Sequence, residues 1–147
     1  MKIAILLPFK DTYTKDKAGS ASIWVKDFIK NSKYKKKITI YGHIKNLDKN
    51  KLINKHNYIN IDYNFDFYIG SKNKKYVQIF NNLIKEKSIG LIELHNRPNY
   101  IDYLDKKLKK ILIFHNDPLK LKGSEKLNER INLIRKCEKI IFVSNWV

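Results

Sequence analysis

Apolar residues in this chain fall into short closed runs separated by stripes at helical spacing. The segment Lys2-Ile3-Ala4-Ile5-Leu6-Leu7-Pro8 is a continuous apolar run ended by proline, the pattern of a strand covered on both faces. After a polar loop, Gly19, Ser20 and Ser22 precede Val25, Phe28 and Ile29 at helical spacing, with Ser20 or Ser22 available as N-cap. Branched runs follow at Ile38 to Tyr41, Tyr58 to Ile61, Gly90 to Leu94, Ile111 to Phe114 and Ile140 to Val143, so six strands are predicted. Val77, Phe80, Leu83 and Ile84 give one helical stripe and Leu127, Ile131 and Ile134 another, and a shorter helix is expected to carry Ile101, Leu104 and Leu108. Wholly apolar strands alternating with helices imply right-handed crossovers. The predicted fold class is therefore α/β, a Rossmann-like three-layer parallel sheet with helices on both faces.

Length and composition fit that picture. The 147 residues are the size of one domain, expected to span 1–147, and a hydrophobic fraction of 43% is enough for a core without global disorder. Charge adds a new element. Lys and Arg total 31 against 14 Asp and Glu, a formal net charge of +17, which attracts phosphates, nucleotides and anionic lipid head groups. Arginine stands only at Arg97, Arg130 and Arg135, and base recognition favours the planar Arg fork. The abundance of Lys, Ile, Asn and Tyr also has a plain compositional account in an AT-rich genome. Tyr58, Tyr63, Phe65, Phe67 and Tyr68 are interleaved with Asp62 and Asp66, whose carboxylates would repel a nucleic-acid backbone. That run reads as a packed strand and loop, or as one wall of an acceptor site.

Cys137 is the single cysteine, which excludes an internal disulfide and a Cys-based zinc site and fits a reducing cytoplasm. It reads as packing beside the last helix. His43 and His56 read as surface residues of polar loops, and no metal cluster is expected. The run Ile3 to Leu7 is too short for a membrane span and meets Lys10, Asp11 and Lys15 at once. A cytoplasmic location is expected, and the lysine excess leaves peripheral contact with the anionic inner membrane face as an option.

In a parallel sheet, ligands bind beyond the carboxyl ends of the strands, near the point where strand order reverses. The polar residues there are the loop to Gly19-Ser20 after strand one, Glu93-Leu94-His95-Asn96-Arg97-Pro98 at strand four, His115-Asn116-Asp117-Pro118 at strand five and Ser144-Asn145-Trp146 at strand six. Glu93 and His95 alternate with Ile92 and Leu94, so they share a side. They could bind an acceptor hydroxyl, orient His115, or serve structural hydrogen bonding. Gly19 permits close backbone approach to an anion at a helix N-terminus, or simply makes the turn. His115 titrates near neutral pH and suits proton transfer or charge stabilisation, or is a satisfied strand-end histidine. Asp117 could form an Asx turn. A paired-carboxylate hydrolase built on Glu93 and Asp117 lacks an established separation. Gly-x-Gly-x-x-Gly, Gly-Lys-Ser/Thr, Gly-x-Ser-x-Gly and His-Glu-x-x-His motifs are absent, which removes support for dehydrogenase, phosphate-loop, hydrolase-elbow and zincin readings.

Taken in order, the apolar first strand, Ala18-Gly19-Ser20-Ala21-Ser22, the Ile-Glu-Leu-His-Asn and Ile-Phe-His-Asn-Asp-Pro strand ends and the final Ile-Ile-Phe-Val-Ser-Asn-Trp resemble the N-terminal domain of family 4 glycosyltransferases of the two-domain B-type fold. The resemblance covers nearly the whole chain through motifs of one to three residues. It implies a retaining transfer of sugar from a nucleotide-sugar donor to a glycan, lipid-linked or polysaccharide acceptor, with no further cofactor and no metal. On it, Gly19, Ser20 and Asn116 approach the donor, although Gly19-Ser20 stands where many relatives carry a Gly pair. His115 contacts the transferred sugar or stabilises developing charge, with Asp117 beside it as the second catalytic candidate. Glu93, His95, Asn96 and Arg97 fall on the acceptor side. The family holds its nucleotide chiefly in a second, C-terminal domain, so this chain is expected to be inactive alone and to need a second polypeptide, or to be a fragment. The alternatives are a non-catalytic basic module that binds anionic lipid or nucleic acid, and a truncated remnant.

Overall fold

A computed structural model describes residues 1–55 and 57–144. Its centre is a six-stranded, wholly parallel sheet of β1 (Lys2–Leu6), β2 (Ile38–Gly42), β3 (Tyr58–Asn60), β4 (Ile89–His95), β5 (Lys109–Phe114) and β6 (Lys139–Phe142), in the order β3-β2-β1-β4-β5-β6. The apolar runs form strands because both of their faces are covered. In β1, Ala4 and Leu6 enter one core while Ile5, and Leu7 just past the strand, enter the other, and Ile5 lies level with Ile40 of β2 and Glu93 of β4.

Helix α1 (Ser20–Asn31) covers one face through Ala21, Val25 and Ile29. Helix α2 (Lys72–Ile84) covers the other through Tyr76, Val77, Phe80 and Ile84, and α3 (Leu127–Lys136) lies on that same face. Burial of each large apolar side chain contributes about 1.5–3 kcal/mol before chain entropy is subtracted. The Tyr76 hydroxyl also donates to the Leu7 carbonyl at 3.0 Å, fastening α2 to the end of β1. These features make the fold Rossmann-like and α/β, with the strand order reversing between β1 and β4. Among the described residues no helix is long and apolar enough to cross a membrane.

Four local expectations are corrected. Neither Ser20 nor Ser22 caps α1. Gly19 is the N-cap, and the capping oxygens come from Asp11, whose carboxylate accepts from the Ala21 amide at 3.2 Å and from the Ser22 hydroxyl at 2.5 Å. The segment after β4 is a 3-10 stretch, Pro98–Tyr103, that ends before Leu104 and Leu108. Pro98 at its start supplies a preset φ without a backbone donor. In α3 the stripe of Leu127, Ile131 and Ile134 faces outward at 67%, 40% and 68% exposure, and Leu133 is the buried contact. This helix meets the 98–103 segment, where Asn132 and Lys136 both bond the Asp102 carboxylate, and only its Leu133 enters the core. His43 is no solvated loop residue, because its Nδ1 bonds the Ile61 carbonyl at 2.9 Å and its ring stacks on Phe9. His56 lies outside the described residues. Cys137 caps the end of α3 against the α2-side core, and burial pushes its thiol up to about 11.

Candidate functional site

Side chains alternate along β4 and β5, so Ile92, Leu94, Leu112 and Phe114 fill the α2-side core while Glu93, His95 and His115 emerge towards α1. His95 Nε2 lies 3.0 Å from Glu93 Oε1, and His95 Nδ1 lies 2.8 Å from His115 Nε2. His95 is completely buried and Glu93 nearly so, whereas His115 is half-buried. Trp24, brought down by α1, packs on both imidazoles with ring centroids 5.2 Å from His95 and 5.8 Å from His115.

These contacts fix the direction of the hydrogen bonds. A carboxylate at Glu93 accepts from His95 Nε2–H. With one proton on the His95 ring, its Nδ1 then accepts from His115 Nε2–H. The open lone pair is left on His115 Nδ1, which has no partner among the described residues. Burial, and then proximity to His95, depress the His115 pKa to about 4, so the ring is neutral at pH 7.

Asn96 ties the two strand ends together. It takes a left-handed backbone conformation (φ 51°) that asparagine tolerates better than most residues. Its Oδ1 accepts from the His115 amide at 2.7 Å and from the Asn116 amide at 3.3 Å. Arg97 turns back, its Nη1 donating to the Asn96 carbonyl at 2.8 Å.

Glu93, His95, Asn96 and His115 are thus assembled by direct hydrogen bonds. Asn116 joins only through its backbone. Asp117 directs its carboxylate into its own turn, where Oδ1 accepts from the Leu119 amide at 2.9 Å, which is an Asx turn. Gly19 and Ser20 open α1 with the Asp11 carboxylate at the helix terminus, so an incoming anion meets a negative group already seated there. At the end of strand six, Asn145 and Trp146 lie outside the described residues.

Asp11 and Trp24 are the members that sequence reading did not single out. Trp24 sits next to the stripe of Val25, Phe28 and Ile29, and that adjacency was its only signal. Among the described residues no three His, Cys, Asp or Glu side chains are grouped to hold a metal ion. No family model, curated protein or solved structure matches the chain.

Proposed function

We propose that the chain is the acceptor-side part of a retaining glycosyltransferase, with a nucleotide-sugar donor held by a second α/β unit and a glycan, lipid-linked or polysaccharide acceptor. The observation that supports it is the Glu93–His95–His115 chain at the carboxyl ends of β4 and β5, beside the reversal of strand order. In this reading the donor's C1–O bond to the diphosphate breaks, a C1–O bond to the acceptor forms, and the acceptor hydroxyl gives up a proton. His115 Nδ1 takes that proton, its Nε2 proton passes to His95 Nδ1, and the His95 Nε2 proton passes to Glu93. A ring that is a weak base by itself can accept the proton because the charge is handed inward. The nucleoside diphosphate leaves as the second product. His115 is the catalytic residue, and His95 and Glu93 are positioning residues.

The test is transfer of radiolabelled sugar from UDP- and GDP-linked donors to acceptors in membranes of the source cell. The chain is assayed together with the polypeptide encoded beside it. Transfer that requires this chain and falls at least a hundredfold in His115→Ala is expected, a loss on the order of that from removing a general base. Transfer indifferent to His115→Ala, or absent from every donor, sinks the reading.

Surface charge supports a second reading, a basic module at an anionic membrane. Lys26, Lys30, Lys35 and Lys36 line a cavity of about 550 Å³ at the far end of α1. Among the described residues, Lys30, Lys35 and Lys36 form no ion pair. Salt-sensitive sedimentation with phosphatidylglycerol vesicles, lost in Lys30→Glu/Lys36→Glu, is the expected result, and equal binding to phosphatidylcholine vesicles would exclude it.

A further inference from the structure

On the α2 side of the same sheet edge lies a second cavity, of about 270 Å³. Three cations and three amides line it: Lys10, Arg97, Lys122, Asn73, Asn96 and Asn99. Phe9 and Leu121 supply its apolar walls, and no carboxylate lines it. Among the described residues none of the three cations forms an ion pair. Each comes from a different segment: Lys10 follows β1, Arg97 follows β4, and Lys122 lies in the loop after β5.

Two features show that this arrangement is built into the fold. Asn96 is 6% exposed, and with its Oδ1 committed to the His115 and Asn116 amides, its Nδ2 donors have no partner among the described residues. The loop that carries Lys122 is held against Asn99 by Gly123, at φ +97°, where a Cβ would stand 2.7 Å from the Asn99 backbone nitrogen. Glycine is therefore required both for the backbone angle and for the close approach. Two of the lining residues are tied together by the buried Tyr100 hydroxyl, which accepts from the Phe9 amide at 3.0 Å and donates to Asn73 Oδ1 at 3.3 Å.

We infer that this pocket binds a phosphorylated saccharide. The cations match a phosphate, and the Arg97 guanidinium, held in place by its bond to the Asn96 carbonyl, adds its remaining N–H donors. The amides of Asn73, Asn96 and Asn99 match hydroxyl groups, and the Phe9 ring offers a face for sugar C–H groups. The cavity sits just under the about 300 Å³ at which small-molecule sites commonly begin, which restricts it to a single sugar unit. Asn96, which lines this pocket, also accepts from the His115 backbone amide, so on the sugar-transfer reading a bound phosphosugar would lie across the sheet edge from the His115 ring. The sugar-transfer proposal is needed for that last step only; phosphosugar binding stands without it.

The probe is glucose 6-phosphate, titrated into the isotopically labelled full chain in about 0.15 M salt while backbone amides are followed by NMR, with glucose and inorganic phosphate as separate arms. Saturable shifts at Arg97, Asn99, Leu121 and Lys122 are expected, with inorganic phosphate binding at least tenfold more weakly and glucose giving no saturable shift. Lys10→Glu/Lys122→Glu should weaken glucose 6-phosphate at least tenfold, whereas Lys30→Glu/Lys36→Glu, with the same change in net charge, should leave it within twofold. Equal loss in both double variants would reduce the effect to diffuse charge. Inorganic phosphate binding as tightly as the sugar phosphate, or no saturable shift, would overturn the inference. Asn99→Asp, which keeps the side chain's size and repels an anion, should repeat the loss if the reversals misfold. His115→Ala should leave binding within twofold, so failure of the pocket and failure of the transfer proposal are told apart.

Discussion

The two faces of β4 are buried equally well and by opposite means. Towards α2, Ile92 and Leu94 disappear into an apolar core, where any side chain of the right volume and shape would serve. Towards α1, Glu93 and His95 lie beneath Trp24 and satisfy their polar atoms through each other and His115. One face is secured by area removed from water, and the other by a chain of partners that fails when one member is lost.

Leu94→Ala should produce the largest effect, about 2–5 kcal/mol of lost stability from the transfer and cavity terms, measured by denaturant unfolding. His95→Leu should cost about 1–3 kcal/mol although it adds apolar volume, because it strands the Glu93 carboxylate. The sharper form of the comparison is the double replacement Glu93→Leu/His95→Leu. It should be more stable than His95→Leu alone; if it is less stable, the polar face is not secured by pairing.

Acid should act on the polar face alone. The folded His115 pKa, about 4, lies below the usual histidine value, so the unfolded chain takes up its proton first as pH falls. The stability associated with neutral His115 is complete above about pH 6.5 and is lost as pH drops towards 4. His115→Gln should flatten that part of the stability-against-pH curve, as read by urea melts, while Leu94→Ala should lower the whole curve without changing its slope there. The smallest effect belongs to α3. Ile134→Lys, at a position 68% exposed, should move stability by less than about 0.5 kcal/mol, and a larger loss would mean that the outward stripe is covered.

Much of this was legible in the residues. Wholly apolar runs at 3–7 and 111–114 announce strands buried on both faces. The alternation of Glu93 and His95 with Ile92 and Leu94 places the acid and the imidazole on one side before any coordinates are known. The error in α3 shows where periodicity stops: Leu127, Ile131 and Ile134 do define a stripe, but periodicity does not say whether another element lies against it. Against the 98–103 segment only Leu133 reaches the core. Asp11 was illegible for a different reason. It lies ten residues before the amide it caps, in a loop with no period, and only the folded path of that loop brings it to α1.

That carboxylate makes the start of α1 a lock already fitted with its own key. A Cβ on Gly19 would stand 2.6 Å from Asp11 Oδ2, so the bare glycine and the acid share one space. Gly19→Ala must evict Asp11 before it strains anything else, and the damage from changing both residues should fall short of the sum of the two single changes. Measured as a double-mutant cycle, such non-additivity would identify Gly19 as the seat of a tethered anion that any free one must first displace.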